Sequence, residues 1–273
     1  MKSTFKKNIP DSSWNTLRNG YDAILRLPEL PAAYLHPWRR ESIKRLKEIH
    51  NIHSGERAFV IGNGPSLKNT NLSNLKDEFT FGLNRIYLMF PELGFQTTYL
   101  VSINDLVIEQ CAEEMLMLNT QRFFAWHSRK FFVPFKPEKE ALPTFLYTTY
   151  TGPGFSKEVS GRVWEGATVT NVALQIAFHM GFNEVILIGV DHNFTTKGPA
   201  NTTVTSQGDD PNHFSPAYFG KGFRWQLPDL ETSEIGYRLA KQAYETAGRK
   251  VVDATVGGKL TVFPKAEFGQ LFK

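Results

Sequence analysis

Residues 57–67 read RAFVIGNGPSL. The apolar run 58–61 has the length and composition of a buried strand, and it runs directly into Gly62, Asn63, Gly64, Pro65 and Ser66. Strand, glycine turn and helix start, in that order, is how α/β proteins build an anion pocket. The glycines let backbone N–H groups approach a phosphate, and the helix N-terminus adds favourable partial charge. Pro65 suits a first helical turn, where its missing N–H costs nothing. The stretch predicts a nucleotide-binding loop near residue 62. It is not a dinucleotide fingerprint: Leu67 stands where a third glycine is needed, and the next apolar run, 79–83, leads to Asn84 rather than to an acidic residue. No G-x-x-x-x-G-K-[ST] occurs, which excludes a P-loop.

Further apolar runs fall at 79–83, 98–103, 121–126, 185–188 and 250–253, and helical patterns at 105–118, 168–180 and 232–247. This alternation predicts an α/β fold with a Rossmann-like, doubly wound, mostly parallel sheet. Residues 127–166 and 192–230 are long and rich in Pro, Gly, Phe and Tyr, as lid or binding loops are. Two units are expected: a basic helical N-terminal extension over 1–54 and a Rossmann-like nucleotide-binding domain over 55–273. Ligands bind such sheets at the carboxyl ends of the strands. Four polar clusters should therefore meet in one crevice: Gly62-Asn63-Gly64, Asn84-Arg85, Asn104-Asp105 and the run from Gly189 to Asn193.

A chain of 273 residues, 41% hydrophobic and 21% charged, is long enough for one full α/β core. No apolar run approaches the roughly 20 residues of a membrane span, and no signal-peptide pattern opens the chain. Cys111 is the one cysteine, so no internal disulfide forms and a reducing, cytoplasmic setting is expected. The net charge of +4 is uneven: residues 1–54 hold ten Lys and Arg against five Asp and Glu. Arg39, Arg40, Lys44, Arg45 and Lys47 interleave with Ile43, Leu46 and Ile49 at helical spacing, a basic amphipathic helix. It either packs on the main domain or docks on the anionic inner face of a membrane, where a lipid-linked acceptor would sit. Nucleic acid is not an expected partner, because the basic stretch is short and the remainder is near neutral.

The amides of Asn63 and Asn84 both donate and accept, which suits a ribose, a base or a phosphate, and equally a turn cap. Asp105 and Asp191 are candidates to hold a cation or polarise a partner, with helix capping the alternative for Asp105. Thr168 and Thr170 open the helix that follows Gly166-Ala167 and either donate to a phosphate or cap it. His192 and His213 lie in the expected crevice rim and are candidate general bases; His127 is possible after its strand. His36, His50 and His53 are read as surface residues and His179 as packing, and no histidine pair has zinc-site spacing. Asp209-Asp210 reads as a turn, and Arg224 as a grip for an anionic group.

IGNGPSL (61–67), Asn84, and MGFNEVILIGVDHNF (180–194) resemble two related groups. One is the bacterial sialyltransferases of glycosyltransferase family 42. The other is the DUF115 group, which includes 6-hydroxymethylpterin diphosphokinases; GATVTNVALQIAFHMGFNEVILIGVDHNF (166–194) and GRKVVDATVGGKL (248–260) look especially like it. The resemblance spans about residues 55–265.

The sialyltransferase resemblance implies a metal-independent transferase using a CMP-linked acidic sugar. Gly62, Asn63, Gly64, Pro65, Ser66, Asn84, Asn104, Thr168 and Thr170 would then hold the nucleotide; Asp105, Asn193 and Arg224 the substrate, with Arg224 on the sugar carboxylate; His213 or His192, with Asp191, the acceptor chemistry. The implied partners are a nucleotide-sugar donor and a glycan or lipid-linked acceptor in bacterial surface-polysaccharide synthesis; an oligomer is compatible with the sequence. Two departures stand out: no tyrosine follows Asp191, and the family's catalytic histidine position falls among Gln226, Pro228 and Asp229. The pterin-kinase resemblance instead implies ATP and Mg²⁺, with Asp105 and Asp191 as metal candidates. A third alternative is a non-catalytic nucleotide or glycan binder.

Overall fold

The computed structural model describes residues 20, 21, 24, 27–150, 152 and 154–273; residues 1–19 of the expected extension lie outside these. Eight strands form one parallel sheet in the order β10-β7-β1-β2-β3-β4-β5-β6. They are β1 (Arg57–Ile61), β2 (Phe79–Leu83), β3 (Tyr99–Ser102), β4 (Gln121–Ala125), β5 (Thr144–Thr149), β6 (Arg162–Trp164), β7 (Glu184–Ile188) and β10 (Lys250–Asp253). β8 (Thr203–Thr205) and β9 (Arg224–Gln226) pair antiparallel as a separate ribbon. The helices are α1 (Leu30–Leu35), α2 (Pro37–Glu48), α3 (Phe90–Leu93), α4 (Asp105–Leu116), α5 (Val169–Met180) and α6 (Leu230–Thr246).

The sheet is covered on both faces, which is why its strands read as continuous apolar runs. Along β1, Phe59 and Ile61 face one core, shared with Val107, Ile108 and Met115 of α4. Ala58 and Val60 face the other, built with α5, Tyr237 and Tyr244 of α6, and Leu46 of α2. The six strands read from the sequence are all present. The stretch 127–166 is not a loop, however: it contains β5 and β6. β5, TFLYTT, is buried at every position, and its threonines interrupt the apolar signal although β-branched and aromatic residues suit a strand.

From β1 the chain steps outward through β6 and then crosses back to place β7 on the other side of β1. The β1–β7 junction is the switch point of the sheet, where open α/β folds form a crevice. The register aligns Ile61 with Ile188, so the loops after both strands start at one level. They lock together: Gly62 N–H donates to Ile188 O at 2.8 Å and Gly64 N–H to Gly189 O at 2.9 Å. The glycines are needed for this approach. A Cβ on Gly62 would run into the Gly189 carbonyl, and one on Gly64 into the Asp191 carboxylate.

Residues 37–54 are built into the domain rather than set apart from it. Trp38 stacks on Phe145 of β5, and Ser42 Oγ accepts from Phe145 N–H at 2.9 Å. Arg39 is fully buried and donates to the Ser160 and Gly161 carbonyls; burial lowers its guanidinium to about 10. Arg45 donates to the Leu142 and Lys139 carbonyls at 2.7 and 2.6 Å. Two of the five cations of the basic stretch thus point into the protein, which narrows the face left for an anionic surface. His53, read as a surface residue, is instead stacked on Phe182 and bonded to Tyr99 Oη at 2.6 Å. No described helix is long and apolar enough to cross a membrane.

Gly64→Ala should destabilise the fold by about 1–3 kcal/mol, as overpacking of a tight contact does. Urea unfolding measures it, and an unchanged midpoint would show that the two loops are not interlocked.

Candidate active site

The four polar clusters, Arg85 excepted, line a single cavity of about 380 Å³ at the carboxyl ends of β1, β2, β3 and β7. Its walls are completed by the N-terminus of α5, by the 192–230 segment and by the start of α6. Of the six non-glycine residues with positive φ among those described, four line it: Asn84 (φ 48°), Ala167 (φ 56°), His192 (φ 52°) and Asn201 (φ 63°). Left-handed backbone at non-glycine residues costs about 1 kcal/mol or more each and gathers at functional sites.

The first loop does not offer the phosphate cradle that its glycines suggest. The N–H groups of Gly62 and Gly64 are taken by carbonyls of the β7 loop. Pro65–Asn69 is a short 3₁₀ turn, and its N-terminus is already capped by an internal anion. Asp191 accepts from Ser66 N–H at 3.2 Å and from Ser66 Oγ at 2.7 Å. Pro65 and Ser66 do not line the cavity; their role is to hold Asp191. Asn63 does line it. Its Nδ2 donates to Leu83 O at 3.0 Å, while its Oδ1 is buried without a partner.

A longer helix presents its N-terminus instead. Thr168, Val169 and Thr170 of α5 line the cavity, and Thr168 Oγ1 caps by accepting from Thr170 N–H at 3.3 Å. The positive end of this 12-residue helix favours an anion there. Asn84 Oδ1 accepts from Ser102 Oγ at 2.9 Å. Asn104, rather than Asp105, caps α4, accepting from Leu106 N–H at 2.9 Å, while its Nδ2 donates to Gln226 Oε1. Asn193 is a lining residue.

Each histidine in the cavity is held by a carboxylate. His213 Nδ1 lies 2.6 Å from Asp210 Oδ2, and the ring stacks on Tyr218 with centroids 4.0 Å apart. Asp210 is itself fixed by the N–H groups of Asn212 and Phe219. With Nδ1–H donating to this carboxylate, Nε2 is left as the basic nitrogen. His192 Nε2 is 3.2 Å from Glu234 Oε1 on α6. His127 bridges Asp105 (Nδ1 to Oδ1, 2.7 Å) and Glu165 (Nε2 to Oε1, 3.4 Å). Burial alone would lower the His127 pKa, but its hydrogen bonds to the two carboxylates outweigh this and raise it to about 9. Burial would raise the Asp105 carboxyl; bonds from His127, Ser128 and Lys130 prevail and hold it well below its ordinary value.

Two arginines expected near the ligand are elsewhere. Arg224 is not a lining residue: it pairs with Glu109 at 2.9 Å on the outside of α4. Arg85 turns away to anchor the 210–223 segment through the Ala217 and Tyr218 carbonyls and the Phe223 ring. Among the described residues no Lys or Arg lines the cavity, whereas seven amide side chains do, from Asn63 to Gln226.

The Mg²⁺ of a pterin-kinase-type reaction does not fit the carboxylates proposed for it. Both oxygens of Asp191 accept from Ser66, and both oxygens of Asp105 are engaged by His127, Ser128 and Lys130. Among the described residues no three His, Cys, Asp or Glu side chains of the cavity converge to ligand distance.

Fold and cavity together define a Rossmann-like α/β protein with its cavity at the switch point of a parallel sheet. The chain belongs to the 6-hydroxymethylpterin diphosphokinase MptE-like family, whose sequence profile matches residues 36–197, more than half of it. The match takes in α2, which the sequence alone had grouped with an extension. Among solved structures, the chain is similar to the MAf glycosyltransferase from Magnetospirillum magneticum AMB-1. The two share 16% identity with a TM-score of 0.45, over 93% of this chain and 42% of that one. The chain thus spans less than half the length of that protein. None of the curated proteins compared matches it.

The His127 pairing sets a pH dependence. Its folded pKa of about 9 lies above its ordinary 6.5, so its stabilisation is full below about pH 6.5 and is lost as pH rises through 9. Stability of the native chain should fall more steeply than that of His127→Gln between pH 7 and 10. Parallel profiles in urea unfolding would contradict the pairing.

Proposed function

We propose that the protein is a metal-independent glycosyltransferase that passes a sugar from a nucleotide-linked donor to an acceptor hydroxyl, with a CMP-linked sugar the first donor to test. The observation that carries this reading is the His213–Asp210 pair in a cavity lined by amides. Amides donate and accept without adding charge, which suits the hydroxyls of a sugar and ribose and the edge of a base. Asn63 and Asn84 hold the nucleoside. The N-terminus of α5, at Thr168 and Thr170, faces the donor phosphate. As the acceptor oxygen attacks the anomeric carbon, His213 Nε2 takes its proton. The bond from the anomeric carbon to the phosphate oxygen breaks, and the nucleotide leaves with that electron pair. The helix end opposes the negative charge that develops. A glycan or lipid-linked acceptor fits a rim built of aromatic and amide side chains.

Family membership supports a second reading, pyrophosphoryl transfer from ATP to a small hydroxylated heterocycle. It requires Asp105 or Asp191 to leave its protein partners for Mg²⁺.

His213→Ala should lower transfer about 10²–10⁴-fold, the usual contribution of a general base, while nucleotide affinity stays within about twofold. EDTA should leave the native rate unchanged. Full activity in the variant would remove His213 as the base, and loss of activity in EDTA would favour the kinase reading. Asn63→Ala should weaken nucleotide binding at least about tenfold, the cost of leaving a buried hydrogen-bonding partner unpaired; unchanged affinity in a calorimetric titration would displace the nucleotide from the β1 loop.

A further inference from the structure

His179 and His50, read from the sequence as packing and surface residues, meet Glu158 at the far end of α5. This point is about 15 Å along the helix from the cavity, at 1.5 Å per residue. The His179 side chain is fully buried, and its Nε2 is 2.7 Å from the Leu46 carbonyl. A carbonyl only accepts, so Nε2 carries the proton and Nδ1 presents a lone pair. That Nδ1 is buried without a hydrogen-bond partner. It faces Glu158 Oε1 at 3.4 Å, and the His50 ring lies beside it with centroids 4.9 Å apart.

A lone pair and a carboxylate oxygen facing each other repel, and a cation held between them turns both into ligands. The nearest atoms of His50, Glu158 and His179 all lie within 4.8 Å of one another. A tetrahedral ion with bonds of about 2.0–2.1 Å holds its ligand atoms roughly 3.3 Å apart. The His179–Glu158 separation already has that value, and the exposed His50 ring needs only a side-chain rotation to complete the set. Two imidazoles and one carboxylate form a donor set of intermediate softness, suited to Zn²⁺ rather than to Mg²⁺ or Ca²⁺. The supporting contacts are also in place: Leu46 O fixes the His179 tautomer, and Ser160 N–H donates to Glu158 Oε1 at 2.9 Å.

We propose that His50, Glu158 and His179 bind one zinc-class divalent ion, which clamps the turn after α2 and the segment between β5 and β6 to the C-terminal end of α5. The ion binds the folded chain and therefore stabilises it. The site is separate from the cavity and does not depend on the function proposed for it.

The test uses the full chain, stripped with a chelator and then titrated with ZnCl₂ against a chromophoric zinc chelator, with melting followed in parallel. One equivalent should bind and raise Tm. His50→Ala and Glu158→Gln change exposed side chains and should leave the metal-free Tm unchanged. Each should weaken zinc at least about tenfold and abolish the zinc-dependent rise. Failure of the native chain to bind one equivalent overturns the proposal. So does binding that both variants retain, which would place the ion elsewhere.

Discussion

The structure depends on one backbone contact, the lock between the loops that leave β1 and β7. Gly62 and Gly64 donate to Ile188 and Gly189 carbonyls, and Asp191 reaches back to cap the turn at Ser66. Two adjacent parallel strands whose chains depart in opposite directions would otherwise leave an open slot at the switch point. The lock closes its floor without using a side chain larger than an aspartate. It also changes the chemistry that a glycine loop normally signals. The amides that would hold a phosphate in a nucleotide loop are bonded within the protein, and the anion at the turn is the protein's own carboxylate. A ligand must therefore be recognised from the walls.

Those walls have a consistent character. The α5 N-terminus supplies positive dipole, the amides supply neutral donors and acceptors, and three histidines each stand against a carboxylate from another position in the chain. Positive-φ backbone at Asn84, Ala167, His192 and Asn201 is concentrated on the same surface. The 210–223 segment, which carries His213, is pinned by the buried Arg85 and by Phe214 N–H donating to Asn63 O at 2.9 Å. His213 thus belongs to a fixed wall. Its carboxylate partner gives it an oriented tautomer before any ligand arrives, the arrangement used where a hydroxyl must lose a proton.

The sequence made most of the sheet legible because buried parallel strands are continuous apolar runs. β1, β2, β7 and β10 stand out for that reason. β5 and β6 did not, since TFLYTT and RVW mix polar residues into strands whose burial comes from α2 and α5 packing over them. The strand-end rule was enough to gather the four cavity clusters. What it missed are pairings between distant positions. His127 meets Asp105 across 22 positions and Glu165 across 38, and nothing local marks any of the three as partners. The His213–Asp210 pair lies three residues apart and was partly visible, although the aspartate reads as an ordinary turn residue. Arg85 and Arg224 show the converse: both sit beside a strand end in sequence, yet long side chains carry their charges to Tyr218 and Glu109 instead. The basic helix is a similar case, because Arg39 and Arg45 find backbone carbonyls more than ninety residues away.

The most direct test of the central claim is a thermal-shift comparison of CMP, CDP, UDP, GDP, ADP and ATP on the full chain, each with EDTA and with Mg²⁺. A ligand at about 100 times its Kd adds about 2.7 kcal/mol, well within reach of such a measurement. The account predicts that a nucleoside monophosphate or diphosphate, CMP or CDP first, raises Tm equally in EDTA and in Mg²⁺. Stabilisation by ATP alone, and only with Mg²⁺, would contradict it.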